Sequence, residues 1–461
     1  MPSRVCHPSD NRIKVTCRRV VSQTTRKSFS IHFIDLGMVR TFYLDRVIER
    51  LRPWYLRRFY FKWVTGSKPN SFSSCWNFPE FLPPLREKTR DLAIIFLPMN
   101  DWHGRVQRTQ HLARDLARRG FPVIYVNPHL GREFPDIFRR GEEEKLMQIE
   151  GNLVELHIHL PREPVFHHRL LTRDESARIS GAVTNALRRT GALRAVQIVS
   201  LPIWLDAAQA IRESDGAPLI YDCHDHLSGF SNMAREIVDR EAALFRASDL
   251  VLATAQALMK QAAAETTAPR VLLRNAAAHE FFEVQVEAPS QVSIGYAGAI
   301  DSWFDAEAVR HAAVTRPDWR FELIGRVENE AVLALSALPN VYLAGEVPFA
   351  ELPRRLARLT AAIIPFRLNP LIEATDPIKA YEYLACGLPV VASKMPELER
   401  FGDLISFYST PADFVAQLDR AILPGSGAML ERRRVFIAGE TWEARGAQLA
   451  ELAGKLSISQ S

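Results

Sequence analysis

The sequence predicts an α/β protein made of two doubly wound parallel-sheet domains behind a basic N-terminal extension. Its 461 residues are too many for one ordinary domain, and an apolar fraction of 47% supports sizeable cores. Short apolar runs alternate with amphipathic helical stretches from residue 91 onward, which is typical of parallel strands covered by helices on both faces. The alternation stops in an acidic segment at 276–291 and then restarts. We therefore expect folded domains at 91–285 and 292–425.

The first domain opens as a βαβ unit. A buried strand within 91–98 leads through a short loop into a helix at about 106–119, and a second strand follows at 121–127. The crossover between these strands is expected to be right-handed. Because no Gly-x-Gly-x-x-Gly follows the first strand, a dinucleotide-dependent oxidoreductase is not expected. Further strands are predicted at 153–160, 195–201, 218–222, 249–253 and 270–273, with helices at about 174–189, 203–213, 231–247 and 255–265.

The second domain repeats the same alternation. Gly295 and Gly298 in its first strand would let a ligand approach the backbone closely. The chain then closes with a helix predicted at about 428–456. The predicted strands lie at 293–298, 321–324, 341–344, 361–366, 390–392 and 405–408, and the helices between them include 305–315 and 349–359.

Positive charge is concentrated in the extension at 1–90. This stretch holds 18 Lys/Arg and 6 Asp/Glu, a net charge of +12, whereas the whole chain carries +5, which leaves −7 for 91–461. Residues 40–66 mix arginine with Phe, Tyr and Trp, a composition that suits the headgroup region of an anionic membrane. The alternative is an irregular arm packed on the protein, with arginine stems covering apolar surface. Because the body is acidic, nucleic acid is not an expected partner.

Cysteine spacing and hydropathy indicate a reducing, cytoplasmic setting. The five cysteines show no paired spacing, which argues against a disulfide framework and against a zinc site. No apolar run approaches the ~20 residues that cross a bilayer. Residues 1–37 do not resemble a signal peptide; we expect them to be disordered or to precede a start at Met38. Peripheral contact with the inner face of the plasma membrane, through 40–66, is a further hypothesis.

The segment 375–393 is the most informative part of the chain. Asp376 is predicted to cap a helix that ends near Gly387, with Lys379 and Glu382 three residues apart on one face. The carboxylate could accept hydrogen bonds from two ribose hydroxyls, while the ammonium and the helix N-terminus could face phosphate. The alternative is a solvated ion pair. The polar loop at 367–375 follows a predicted strand, and ligands bind at that end of open parallel sheets.

Two loops of the first domain also carry candidate site residues. Trp102-His103-Gly104-Arg105 precedes the first helix, where a glycine and a basic side chain suit an anion or a sugar. The run 222–226 (Asp-Cys-His-Asp-His) directly follows a predicted strand. Its polar side chains could act in catalysis. The alternatives are a metal site built from its His and Asp residues, and a histidine with a purely structural role.

These motifs resemble the nucleotide-sugar-dependent glycosyltransferases of the GT-B fold, which consists of two facing Rossmann-like domains. The resemblance is to the large retaining family that builds bacterial envelope polysaccharides. In that family the glutamate at the position of Glu382 binds the donor's ribose. A second glutamate, eight residues earlier, contacts the donor sugar; this chain has Ala374 there, with Glu373 one place off. His224 matches a histidine that approaches the donor sugar across the cleft.

The resemblance extends over about 91–455. The opening Trp-x-x-Arg-x-Gln-Arg-x-Gln-His-Leu at 102–112 is similar to a subgroup of these enzymes. The resemblance implies that the second domain binds the nucleotide sugar, that the first binds the acceptor, and that the segment 426–461 contains a helix that returns to the first domain. The loop 299–305 usually carries an Arg and a Lys for the diphosphate, but neither occurs here.

The available substitutes for these cations are Arg326, Arg367 and Lys379. If they neutralise the diphosphate, no metal or other cofactor is required in principle. The resemblance therefore implies a metal-independent glycosyltransferase that retains anomeric configuration. We expect His224 and Asp225 to be its catalytic residues, the latter as a candidate nucleophile. The alternatives are a nucleotide-sugar 2-epimerase of the same fold and a non-catalytic nucleotide-sugar-binding subunit.

Overall fold

The computed structural model describes residues 91–102, 105–127, 144–158, 160, 169–230, 233–286, 290–423 and 427–458. The predicted extension at 1–90, including the hypothetical membrane-contacting stretch at 40–66, lies outside the described residues. His103 and Gly104 also lie outside them. No helix in the described part of the chain combines the length and the apolar character needed to span a membrane.

Within the described ranges, the first sheet has eight strands in the order β3-β4-β2-β1-β5-β6-β7-β8. Every neighbouring pair is parallel except β3 and β4, which run antiparallel. Strand β3 at the sheet's edge is not predicted from the sequence, because its polar residues hide the strand pattern. The strands are β1 (Leu92–Leu97), β2 (Val123–Val126), β3 (Glu144–Glu150), β4 (Leu153–Ile158), β5 (Arg194–Val199), β6 (Leu219–Cys223), β7 (Leu250–Ala253) and β8 (Arg270–Leu272).

Helices cover both faces of this sheet, so β1 is buried along its whole length, as the continuous apolar run predicts. Helix α2 begins with a capping box in which the Thr172 hydroxyl accepts from the Glu175 N–H and the Glu175 carboxylate accepts from the Thr172 N–H. The helices are α1 (Arg108–Arg118), α2 (Arg173–Thr190), α3 (Leu205–Asp215), α4 (Arg235–Ala247) and α5 (Gln256–Glu265).

The described part of the second domain forms a sheet of six parallel strands in the order β11-β10-β9-β12-β13-β14. Its strands are β9 (Ser293–Ala297), β10 (Arg320–Ile324), β11 (Val341–Gly345), β12 (Ala361–Ile364), β13 (Val390–Ser393) and β14 (Ile405–Tyr408). The helices of this half are α6 (Ala306–Thr315), α7 (Glu330–Leu333), α8 (Leu352–Leu356), α9 (Pro370–Glu373), α10 (Ile378–Ala385), α11 (Pro411–Ala421), α12 (Gly427–Ile437) and α13 (Trp442–Ile458).

Helix α10 carries Lys379 and Glu382, and its N-terminus differs from the prediction. The helix begins at Ile378 with Pro377 at the N-cap, so Asp376 is not the cap. Tertiary contacts outcompete local capping, because the Asp376 carboxylate accepts a hydrogen bond from the backbone N–H of Asn275. The C-terminus follows the prediction: the N–H of Leu388 donates to the Tyr383 carbonyl, the N–H of Gly387 donates to the Leu384 carbonyl, and Gly387 is left-handed with φ of 81°.

The single helix predicted at 428–456 is in fact two helices, α12 and α13. The break has a physical cause, because the intervening backbone pairs with the segment between the two sheets. The Ala277 N–H donates to the Glu440 carbonyl, and the Trp442 N–H donates to the Ala277 carbonyl. Helix α13 then packs closely on α1: a Cβ on Gly446 would lie 1.8 Å from an oxygen of Asp115. The last helix thus contacts the first sheet domain.

Candidate active-site cleft

A cleft of about 600 Å³ opens between the two sheet domains, at the carboxyl ends of strands from both. The strand order reverses between β1 and β5 in one sheet and between β9 and β12 in the other. Such reversals leave a crevice in which ligands bind. The first domain lines the cleft with Trp102, Arg105, Arg108, Arg114, His224 and Asp225, and the second with Gly298, Glu346, Phe366, Asp376, Lys379 and Glu382, among others.

Glu382 lines this cleft from helix α10 and is only 7% exposed. Burial raises the pKa of its carboxyl to about 7, although the nearby Lys379 ammonium acts in the opposite direction. No hydrogen bond from the described part of the protein stabilises the ionised form. A ligand that donates hydroxyl hydrogens would therefore supply the partners that this carboxylate lacks.

Lys379 lies one turn earlier on the same helix face, and its Nζ is 5.4 Å from the ring centroids of both Tyr296 and Phe366. Gly298 makes room for it, because a Cβ there would lie 2.5 Å from Cε and 2.9 Å from Nζ of the lysine. Burial lowers the pKa of Lys379 to about 8, while the charge of Glu382 raises it. An ammonium in the first turn of a helix favours an anionic ligand at this spot.

His224 faces these residues from the first domain, directly after β6. Its Nδ1–H donates to the Asp222 carbonyl at 2.9 Å, which leaves Nε2 unprotonated in the neutral ring. Nε2 lies 3.7 Å from Oδ2 of Asp225. Burial raises the pKa of the Asp225 carboxyl, although the nearby imidazole lowers it. The oriented Nε2 can thus accept a hydrogen bond from a hydroxyl group of a ligand.

A buried polar network connects the two sides of the cleft behind these residues. Arg108 pairs with Asp222 at 2.9 Å, and their side chains are 3% and 0% exposed. The Nη1 of Arg108 also donates to the Asn275 side chain at 3.2 Å, and the Asn275 N–H donates to Asp376 at 2.7 Å. The Tyr381 hydroxyl donates to the same carboxylate at 2.9 Å. Burial nevertheless raises the pKa of Asp376 to about 6.

The predicted site residues do not all meet in the cleft. Arg326 and Arg367 are absent from its lining. Arg326 pairs with Glu328 at 2.7 Å, and Arg367 lies 3.8 Å from Asp305, with both arginine side chains more than half exposed. Arg105 does line the cleft and spans it, because its guanidinium binds Glu346 of the second domain.

Other predicted positions are also located. Trp102 packs edge-on against Tyr125, and the guanidinium of Arg114 lies 4.8 Å from its ring centroid. Ala374, at the position of the family's second glutamate, is buried, whereas Glu373 is exposed; neither lines the cleft. Within the described ranges, no group of three or more His, Cys, Asp or Glu side chains is suited to hold a metal ion.

Several residues of the site were missed by sequence reasoning. Arg108, Asn275 and Glu346 all line the cleft. Arg108 belongs to the motif at 102–112, so this motif could have identified it as a site residue. Asn275 and Glu346 lie in loops without a recognisable pattern, and only their partners on distant segments reveal them.

Comparison with known proteins shows that this chain is similar to glycosyltransferases. Residues 294–423 match the family described as Glycosyl transferases group 1. TuaH of Bacillus subtilis (strain 168), whose name gives it as a glycosyltransferase of teichuronic acid biosynthesis, is 25% identical over 264 residues, which cover 51% of this chain and 66% of TuaH. The match thus spans just under two thirds of that relative.

Solved structures share the fold across both domains. Sucrose-phosphate synthase from Thermosynechococcus elongatus superposes with a TM-score of 0.61 at 14% identity, covering 80% of this chain and 100% of that one. HepE of Anabaena, in complex with UDP and glucose, gives a TM-score of 0.56 at 13% identity, with coverage of 79% and 99%. The chain therefore has the two-domain GT-B fold of these structures, and its residues 294–423 match the family described as Glycosyl transferases group 1.

Proposed function

We propose that this protein transfers a sugar from a nucleotide diphosphate donor to a glycan or lipid-linked acceptor of the cell envelope, with retention at the anomeric carbon. The observation that carries the proposal is the position of Lys379 and Glu382 on one helix face in the cleft. The carboxylate, once ionised, can accept two ribose hydroxyl hydrogens, and the ammonium can bind phosphate. HepE, which was solved in complex with UDP-glucose, has the same fold and supports a nucleotide-sugar ligand.

The acceptor side of the proposal rests on the first domain. Trp102 offers an apolar ring at the cleft, and His224 offers an oriented Nε2. The name of TuaH supports an envelope polysaccharide as the product class. Contact of residues 40–66 with the inner face of the membrane stays a prediction, and it would bring the cleft close to a lipid-linked acceptor.

The proposed reaction exchanges one bond at the sugar's anomeric carbon. The bond from this carbon to the diphosphate oxygen breaks, and its electron pair leaves with the diphosphate. The acceptor hydroxyl oxygen forms the new bond, and its proton passes to an oxygen of the departing diphosphate, which lies on the same face when configuration is retained. The barrier falls when fixed positive charge stabilises the departing anion and the acceptor hydroxyl is held beside the departing oxygen on one face of the sugar.

The test begins with purified protein and UDP-, GDP-, ADP- and dTDP-sugars in a thermal-shift screen. The donor that binds is then supplied with a radiolabelled sugar and a membrane fraction that contains lipid-linked glycans. We expect label in the glycan, retained configuration by NMR, and a loss of at least 100-fold in rate for His224→Ala, because its Nε2 would hold a sugar hydroxyl in the reacting position. His279→Ala is the control, because His279 is an exposed histidine on the surface.

Two results would replace this function with another. Release of an epimerised sugar without any acceptor would identify a nucleotide-sugar epimerase. Donor binding without transfer or hydrolysis, with every acceptor fraction tested, would identify a nucleotide-sugar-binding subunit. Absence of binding to all four nucleotide series would contradict the proposed donor site itself.

A further inference from the structure

We propose that Arg105 of the first domain is the second cation for the donor's diphosphate, and that it reaches the phosphate by exchanging partners with Glu346 across the cleft. This inference rests on the proposed function, because it concerns the same donor. It differs from the sequence-based expectation, which assigned the diphosphate to cations of the second domain.

The second domain supplies too little positive charge for a diphosphate. Its loop at 299–305 contains two aspartates and neither Lys nor Arg. Arg326 and Arg367 lie outside the cleft lining and close to surface carboxylates. Among the described residues of this domain, Lys379 is the cation that lines the cleft. One ammonium leaves part of the diphosphate charge unbalanced, and more charge develops as the sugar departs.

Among the described residues of the first domain, three arginines line the cleft, and they differ in how firmly they are held. Arg108 is buried and forked onto Asp222, with three hydrogen bonds of 2.9 to 3.1 Å. Arg114 lies over the Trp102 ring. Both side chains are thus held by contacts within their own domain.

Arg105 is held differently, because its partner belongs to the opposite domain. Its Nε and Nη2 both donate to a single oxygen of Glu346, at 2.8 and 2.5 Å. The arginine side chain remains 32% exposed, while that of Glu346 is 11% exposed. A planar guanidinium that shares one carboxylate oxygen does not use its full capacity for paired hydrogen bonds.

The position of Arg105 suits the same ligand that Lys379 would bind. Its charge is close enough to Lys379 to lower the pKa of that lysine. Two like charges in one cleft repel each other until an anion lies between them. A diphosphate offers two non-bridging oxygens to the guanidinium fork, so it can replace the single oxygen of Glu346. Release of Glu346 would then couple donor binding to a change at the domain interface.

The test uses Arg105→Ala and Glu346→Gln, with uridine, UDP and UDP-glucose as probes in isothermal titration calorimetry. The same panel with guanosine, GDP and GDP-mannose serves if the uridine series does not bind. We expect Arg105→Ala to weaken the diphosphate ligands by about 10- to 100-fold, the range for a lost charged hydrogen bond. Its affinity for the nucleoside should be unchanged. Arg310→Ala is the control, because Arg310 is an exposed arginine that pairs with Glu307.

The Glu346→Gln variant separates phosphate binding from a structural role. If the carboxylate competes with phosphate, its loss should tighten UDP binding several-fold, even if the melting temperature falls. Unchanged UDP affinity in both variants would overturn the inference and leave the contact as a structural ion pair. Equal weakening of nucleoside and diphosphate by Arg105→Ala would also overturn it. Failure of the wild-type protein to bind any nucleotide would instead overturn the proposed function on which the inference rests.

Discussion

Protonation of Glu382 should control donor affinity between pH 5.5 and 7.5. Only the ionised carboxylate can accept hydrogen bonds from two ribose hydroxyls, because the protonated group uses one oxygen as a donor. Burial holds the pKa of this carboxyl at about 7 in the ligand-free protein, well above the ordinary value. The carboxylate form is therefore lost as the pH falls through 7, a range in which an exposed glutamate stays ionised.

The magnitude follows from the pKa. With a value of about 7, the carboxyl is about three-quarters ionised at pH 7.5 and about 3% ionised at pH 5.5. The Kd for a nucleotide sugar should therefore rise about 25-fold over this interval, equivalent to about 1.9 kcal/mol. Lys379, whose pKa is about 8, stays mostly protonated throughout. Above pH 8 its loss of charge should weaken binding again, so affinity peaks between pH 7 and 8.

The assay is calorimetric titration with the nucleotide sugar that binds in the screen, for example UDP-glucose, because the doubly esterified diphosphate of such a donor does not titrate in this range. Glu382→Gln mimics the protonated carboxyl, so its Kd should stay nearly flat from pH 5.5 to 7.5 and lie at least about 25-fold above the wild-type value at pH 7.5. Glu399→Gln, at an exposed glutamate, should follow the wild-type profile. A parallel pH profile for wild type and Glu382→Gln would refute the reasoning, since the titrating group would then lie elsewhere.

Two further predictions concern the geometry around this site. Gly298→Ala should weaken nucleotide-sugar binding in the same calorimetric assay, because the new methyl group would displace the end of the Lys379 side chain and a φ of 147° is strained for alanine; wild-type affinity would contradict the close packing. Arg108→Ala should lower the free energy of unfolding by about 3–5 kcal/mol in urea titrations, because it leaves the Asp222 carboxylate buried and unpaired. The control Arg118→Ala, at an exposed side chain, should cost less than about 0.5 kcal/mol, and equal losses would contradict the argument.

The regular parts of the fold were predictable because each buried parallel strand is a short apolar run between polar loops. Strand β14 occupies the predicted residues, and β1 and β10 differ from prediction by at most one residue at an end. Strand β3 was missed because an edge strand with few buried residues keeps a polar composition. The break before α13 was missed because it depends on pairing with a segment more than 160 residues away.

The sequence by itself determined which side chains could do chemistry. Lys379 and Glu382 share a helix face because of their spacing, and His224 follows a buried strand, so both local patterns could be recognised from the chain alone. Local spacing is a property of the backbone's periodicity, and this periodicity does not depend on distant partners.

Only the tertiary structure decided how these groups are paired and charged. The Asp376 carboxylate accepts a hydrogen bond from Asn275 instead of capping a helix. Arg105 forms an ion pair with Glu346, which lies 241 residues further along the chain. The shifted pKa of Glu382 likewise arises from burial between two domains. These outcomes depend on which surfaces face each other, and desolvation and ion pairing act through space rather than along the sequence.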